Sequence, residues 1–286
     1  GNLLITGLYP IVNLLMINNL PSLVNYARPV FPALGNAGFI NSQGDTSLRT
    51  YLSRDVYGVD GSGIKIGVLS DSYNTKLGDP AADDVIKGDL PGTGNSYNPV
   101  PVNVIEDYPY GSASDEGRAM LQIIHDIAPG SELAFRTGFK GVADFAQGIK
   151  DLEAAGCDII VDDITYITEP FFRDGIVAEA VDSVAGEGVA YFSAAGNYGT
   201  KSYQATFDPV PAPTGISGDA HNFAGGSGTD IYQNITVPQG NYTIVLQWDD
   251  GSGYTQTSTD LDIYLTNDDG VTLFGFNRDN TNGMAV

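Results

Sequence analysis

The chain predicts an α/β fold: a doubly wound, mostly parallel sheet followed by a β-sandwich-like unit. Three observations carry this. The runs CDIIVD (157–162) and VAYFS (189–193) are apolar without alternation, as strands covered on both faces must be. Between and before them lie helical faces, Val142, Phe145, Ala146, Ile149 and Leu152, then Ile176, Val177, Ala180, Val181 and Val184, each closed by glycine at Gly156 or Gly186 and Gly188. After about Thr206 the period becomes two, with Tyr242, Ile244, Leu246 and Trp248 on one face and Leu261, Ile263 and Leu265 on another.

In chain order, residues 1–57 read as a leader or pro-segment remnant with turns at Pro29, Pro32 and Gly44. Its opening run is apolar, but Pro10, Asn13 and Asn18 interrupt it short of the ~20 residues of a membrane span, and it lacks a signal peptide's basic start. The chain opens on Gly1 and stops at Val286 just after NRDNTNG, so both ends are expected to be cuts. Residues 58–205 form the α/β core. There a strand at Ile64–Leu69 leads to Asp71, and residues 75–111, rich in Gly, Pro, Asn and Asp, read as a long surface loop. The stretch SASDEGRAMLQIIHDIAPGSELAF (112–135) then gives a loop, an amphipathic helix opened by two carboxylates, and a buried strand. Residues 206–286 form the β-rich unit, with a hairpin turn at Asn267–Gly270.

Composition excludes several functions. Acidic residues outnumber basic ones 35 to 13, a formal charge of −22 that repels nucleic acid and suits a secreted or cell-surface protein. A single cysteine, Cys157, permits no internal disulfide and sits in an apolar run as a core thiol. Two histidines, His125 and His221, and no cysteine cluster leave zinc without ligands. Asp249, Asp250, Asp260 and Asp262 are the residues a Ca²⁺ ion would use, but they lack DxDxDG spacing and read as outward carboxylates, so no cofactor is expected. Asn234 and Asn241 each open an N-x-T sequon, which matters only in a eukaryotic secretory route.

Candidate site residues gather at the carboxyl ends of the expected parallel strands, the usual site of an open α/β sheet. Asp71 follows IGVLS, Asp162 and Asp163 follow DIIV, Asn197 follows YFSAAG, and Glu116 opens the neighbouring helix. Each also has a plainer reading. Asp115 and Glu116 are charges that a helix N-terminus favours, Asp71 a turn or cap, and Asp162 and Asp163 solvated strand ends. His125 reads as a cap or packing residue, His221 as a loop residue, and Pro170, Phe171 and Phe172 as packing for the sheet edge or lining for a cleft.

IGVLSDSYN, DEGRAMLQIIHDIAPGSELAF and VAYFSAAGN, in this order, resemble the first blocks of the subtilisin-like serine peptidases over roughly residues 60–200. The resemblance implies a subtilisin-like frame, incomplete here, with Asp71 as the family aspartate and Asn197 as the oxyanion-hole donor. It implies a peptide or protein substrate and acyl-enzyme chemistry. Two departures follow. Where the family block carries histidine this chain has Glu116, as the related sedolisins do, but the residue four further on is Met120 and not their aspartate, and Asn197 stands where they have Asp. No GTSxAAP-like block is present, since Ser227 in GGSGTD has no small apolar helix after it, so the nucleophilic serine is expected downstream and the chain alone is expected to be inactive.

A glutamate in the histidine position needs help to act as a base near neutral pH, because its pKa is ordinarily ~4.3 against ~6.5 for imidazole. A second carboxylate sharing its proton would raise it, with Asp71 the first candidate and Asp163 the second. The expected enzyme therefore works best at acidic pH. The competing expectation is a non-catalytic peptidase-like protein that binds protein or carbohydrate through its β unit.

Overall fold

Five parallel strands form the sheet on which the chain is built. The structure, a computed structural model, describes residues 10, 12–13, 16–17, 34–35, 44–95, 97–250, 259–267 and 270–276. Most of the leader and the NRDNTNG turn lie outside them. Helices α1 (Gly44–Leu48) and α2 (Thr50–Tyr57) precede strand β1 (Lys65–Ser70). Then come α3 (Pro80–Lys87), β2 (Asn103–Glu106), α4 (Glu116–Ile127), β3 (Glu132–Thr137), α5 (Val142–Ala154), β4 (Ile159–Asp162), α6 (Ile176–Gly186) and β5 (Ala190–Ser193).

The strand order is β2-β3-β1-β4-β5, every neighbouring pair parallel. Successive side chains alternate between faces, so each strand feeds two cores. Leu69, Ala134 and Ile160 pack under α5 and α6 with Phe145, Ile149, Leu152, Ala180 and Val184. Val68, Leu133, Phe135 and Val161 face the other way, onto Ala81 and Val85 of α3 and Met120, Leu121 and Ile124 of α4. Helices on both faces are what the unalternated strands call for, and the expected α/β architecture is present. Cys157 is buried in the first of these cores, and burial pushes its thiol up to about 11.

The 75–111 stretch is not one loop, because it contains α3 and β2. Asp79 accepts from the Ala82 amide at the helix start, Pro80 occupies the first turn, and Gly88 ends the helix in the left-handed region at φ 90°. That succession of cap, proline and glycine is a helix signature hidden by a turn-rich composition.

By compactness the chain divides into two units, Gly1–Gly196 with Leu246–Val286, and Asn197–Val245, instead of dividing at 206. Residues 246–250 join the first unit through side chains. Gln247 donates to the carbonyls of Ile167 (3.1 Å) and Glu169 (2.9 Å) and accepts from the Phe171 amide (2.8 Å), while Arg173 pairs with Asp249 and Asp250. The hairpin forms as expected, with Ile263–Thr266 antiparallel to Thr272–Phe276 and the Gly270 amide closing onto Asn267 O. The alternating run 234–248 forms no strand, and Tyr242 and Ile244 are half exposed. Alternation describes a surface that would suit a strand, but a strand also needs a partner for its amides and carbonyls. The second unit carries a short antiparallel pair, Pro209–Pro211 with Asp219–His221, and packs the rings of Tyr203, Phe207 and Phe223 around His221.

Leu121 of α4 is fully buried, whereas Leu77 is 100% exposed. Leu121→Ala is expected to cost about 2–5 kcal/mol of unfolding free energy and Leu77→Ala no more than about 0.5, measured by urea denaturation.

Candidate active site

The site forms where the carboxyl ends of β1 and β4 meet the amino end of α4. Asp71, immediately after β1, is buried and serves as a cap reaching in from a distant strand. Its Oδ1 accepts from the amides of Ser72 (2.5 Å) and Glu116 (2.9 Å), and its Oδ2 from the amide (2.6 Å) and hydroxyl (2.5 Å) of Ser114. A helix leaves its first four amides open, and the Asp71 carboxylate takes the one at Glu116 while meeting the positive end of the helix. Thr137 at the end of β3 donates its hydroxyl to Asp71 O (2.7 Å), tying the two strand ends together.

Asp115 is a structural anchor. It holds a left-handed backbone at φ 59°, which aspartate tolerates better than most residues. Its carboxylate accepts from Ser72 Oγ (2.9 Å), from the amide (2.8 Å) and hydroxyl (2.7 Å) of Thr75, and from Arg118 (2.8 Å). Burial raises its pKa, but these donors outweigh burial and hold the carboxyl well below the usual range. Arg118 also donates to Tyr73 O (2.6 Å) and pairs with Asp84 (3.0 Å), so loop 72–76 and α3 are fastened to the start of α4.

Glu116 and Asp163 are brought together as side chains. Leu69 pairs with Asp162 across β1 and β4, so one step further Asp163 comes level with Ser70 on the α4 face of the sheet. The carboxyls of Glu116 and Asp163 are close enough in this buried corner that each acts on the titration of the other. Burial first, then the charge and hydrogen bond of Asp163 and the charge of Asp71, push Glu116 from 4.5 up to about 7. Burial likewise raises Asp163, against the pull of the Ser70 hydroxyl and of Glu116. The amino end of the helix works in the opposite direction and is overridden. Such a pair titrates as a unit.

The other sequence candidates fall elsewhere. Asp71 adds its charge to the pair but accepts its hydrogen bonds from main-chain amides and Ser114, so the carboxyl set beside that of Glu116 is Asp163. Asp162 points to the opposite face, where its carboxylate accepts from Tyr191 (2.7 Å), Ser193 (3.1 Å) and the Ile164 amide (3.1 Å), and burial raises it to about 6. Asn197 is exposed in a turn just past β5, after Gly196 at φ 76°. His125, in the last turn of α4, is nine residues and roughly 13 Å of helix away from Glu116. Sequence reading passed over Ser72, Ser114, Thr75 and Arg118, which hold the carboxylates of Asp71 and Asp115. Their one signal was the density of small hydroxyl residues around Asp71 and Asp115.

Among the described residues no group of three or more His, Cys, Asp or Glu side chains could hold a metal ion, and no helix is long and apolar enough to cross a membrane. Compared with models of known protein families and with curated proteins, the chain matches none.

Gly117 sets how closely α4 approaches the sheet. A Cβ there would lie 2.3 Å from the Phe135 ring and 2.8 Å from Ser72 O. Gly117→Ala is expected to cost about 1–3 kcal/mol by overpacking and to shift the titration of the Glu116–Asp163 pair, both measurable by denaturation and carboxyl NMR. The pair also has a pH signature. Because Glu116 is raised in the fold, its favourable contribution to stability is complete below pH 4.5 and is lost as pH rises through about 7. Thermal unfolding of Glu116→Gln should therefore show a stability gain over the parent that grows between pH 4.5 and pH 8.

Proposed function

We propose that this chain carries the proton-transfer half of a serine-type peptidase built on a subtilisin-like frame, with a sedolisin-like glutamate in place of histidine. The observation that carries the reading is the Glu116–Asp163 pair at the carboxyl edge of a parallel sheet, with the Glu116 carboxyl raised to about 7. A carboxyl in that range accepts a proton from a serine hydroxyl and returns it to a leaving amine, as general base and then general acid. Asp71 holds the amino end of α4 and so orients Glu116. The main chain just after Asp163 supports a peptide substrate, because Ile164–Thr165 pairs antiparallel with Leu34–Gly35 and so accepts an extended backbone beside the acid pair. In this reading Asn197 donates to the oxyanion, the nucleophilic serine comes from outside residues 1–286, and the protein acts outside the cell or at its surface.

A second reading, a non-catalytic peptidase-like protein that binds through its β-rich segment, has one observation in its favour. Tyr232, Ile235, Val237, Tyr242, Ile244 and Val245 leave a run of exposed apolar side chains between 232 and 245.

The two readings part in the product of the whole gene. A peptidase should be labelled by a fluorophosphonate probe and cleave peptides best at acidic pH. Glu116→Gln should lower its kcat by about 10²–10⁴-fold and Asp163→Asn should move the pH–rate profile. Absence of labelling favours the binder, and a peak above pH 8 that Glu116→Gln leaves unchanged removes the glutamate from the mechanism.

A further inference from the structure

The far end of α4 holds a second buried titratable group that the proposed chemistry does not use. His125 is 4% exposed, and its Nε2 lies 3.1 Å from Nδ2 of Asn95. The orientation of Asn95 is set by its own partners. Its Oδ1 accepts the amides of Tyr97 (2.7 Å) and Asn98 (3.2 Å), and its Nδ2 also donates to Leu90 O (2.8 Å). Nδ2 is therefore the donor to His125, so Nε2 must be the acceptor and the ring proton must sit on Nδ1. That buried Nδ1 has no hydrogen-bond partner among the described residues.

Asn95 and its neighbour Asn98 hold the segment that follows α3. The Gly92 amide bonds Asn98 O (2.9 Å), the Asn95 amide bonds Gly92 O (2.9 Å), and Asn98 Nδ2 donates to Pro129 O (3.1 Å) and Ser131 O (3.0 Å) just beyond α4. A proton added to His125 turns Nε2 into a donor facing the Asn95 donor. Asn95 cannot rotate its amide to receive it without losing Tyr97 and Asn98. We propose that His125 is an acid-sensitive latch, which as a neutral imidazole holds Asn95 and the neighbouring residues 88–95 and 97–98 against α4 and on protonation lets them go.

The charged surroundings do not rescue the protonated form. Asp89 follows α3 and Asp126 adjoins His125 on α4, and both favour a charged ring, yet burial outweighs them and lowers its pKa from 6.5. Arg54 of α2 lies against the same helix end, donating to Ile127 O and Asp126 O and pairing with Asp45 of α1. With a lowered folded-state value, the contribution of His125 is complete above pH 6.5 and is lost as pH falls through the folded pKa.

Amide hydrogen exchange of Gly92, Asn95, Tyr97 and Asn98 tests the latch on the chain as it stands. Corrected for intrinsic rates, exchange should quicken on acidification from pH 7.5 to 4.5, about tenfold for each unit by which the histidine pKa lies below 6.5. In His125→Gln, whose carbonyl takes the place of Nε2 without titrating, these amides should not respond in this way. Equal acid response in both proteins overturns the proposal. Should the variant fail to fold, imidazole NMR of the parent decides. A proton on Nδ1 at pH 7.5, with a titration midpoint matching that of the exchange, supports the latch, and a proton on Nε2 overturns it.

Discussion

The contact between the Asp71 carboxylate and the open amino end of α4 holds the rest of the site in place. Without it, a helix would begin with bare amides against the end of a buried strand, and Glu116 would have no fixed direction. With it, one carboxylate joins β1 to α4, while the Asp71 carbonyl takes the Thr137 hydroxyl and joins β1 to β3. Gly117 permits the approach, because any larger residue there would meet Phe135. The position of Glu116 is thus a consequence of three local arrangements, none of which involves its own side chain.

Carboxylates crowd this edge, yet they do not behave alike. Asp115 is surrounded by hydroxyl, amide and guanidinium donors and stays charged. Glu116 and Asp163 have each other, little water, and the nearby charge of Asp71, so at least one proton stays bound well above the usual carboxylate range. The environment separates an anchor from an acid–base pair among residues of the same chemical type. That separation is why a helix-start glutamate here suggests chemistry when most such residues only meet a dipole.

Helix α4 is anchored at both ends by different means. Asp71 holds its amino end with a charge that suits the dipole, and Arg54 holds its carboxyl end in the complementary sense. Beside that second anchor sits His125, buried, with Nδ1 lacking a hydrogen-bond partner among the described residues. The two ends respond to pH in opposite senses. The fold gains from the protonated carboxyl pair at one end and from the unprotonated imidazole at the other.

The sequence alone determined the α/β class, the helical faces of α5 and α6, the buried thiol, the hairpin at 263–276, the strand-end positions of Asp71 and Asp163, and the place of Glu116 at the start of the neighbouring helix. All of these rest on periodicity and on short-range spacing, which a linear chain displays directly. It misread 75–111, where turn residues mask the cap, proline and glycine of α3, and it read the alternation through 234–248 as strand, where no strand among the described residues pairs with it. The tertiary structure alone decided which aspartate meets Glu116. Asp162 and Asp163 are adjacent in sequence, but alternation sends one to Tyr191 and Ser193 and the other to the α4 face beside Glu116. Side-chain facing depends on the register between β1 and β4, and a pKa depends on what burial removes and which charges remain nearby. Neither is a property of any single stretch of sequence.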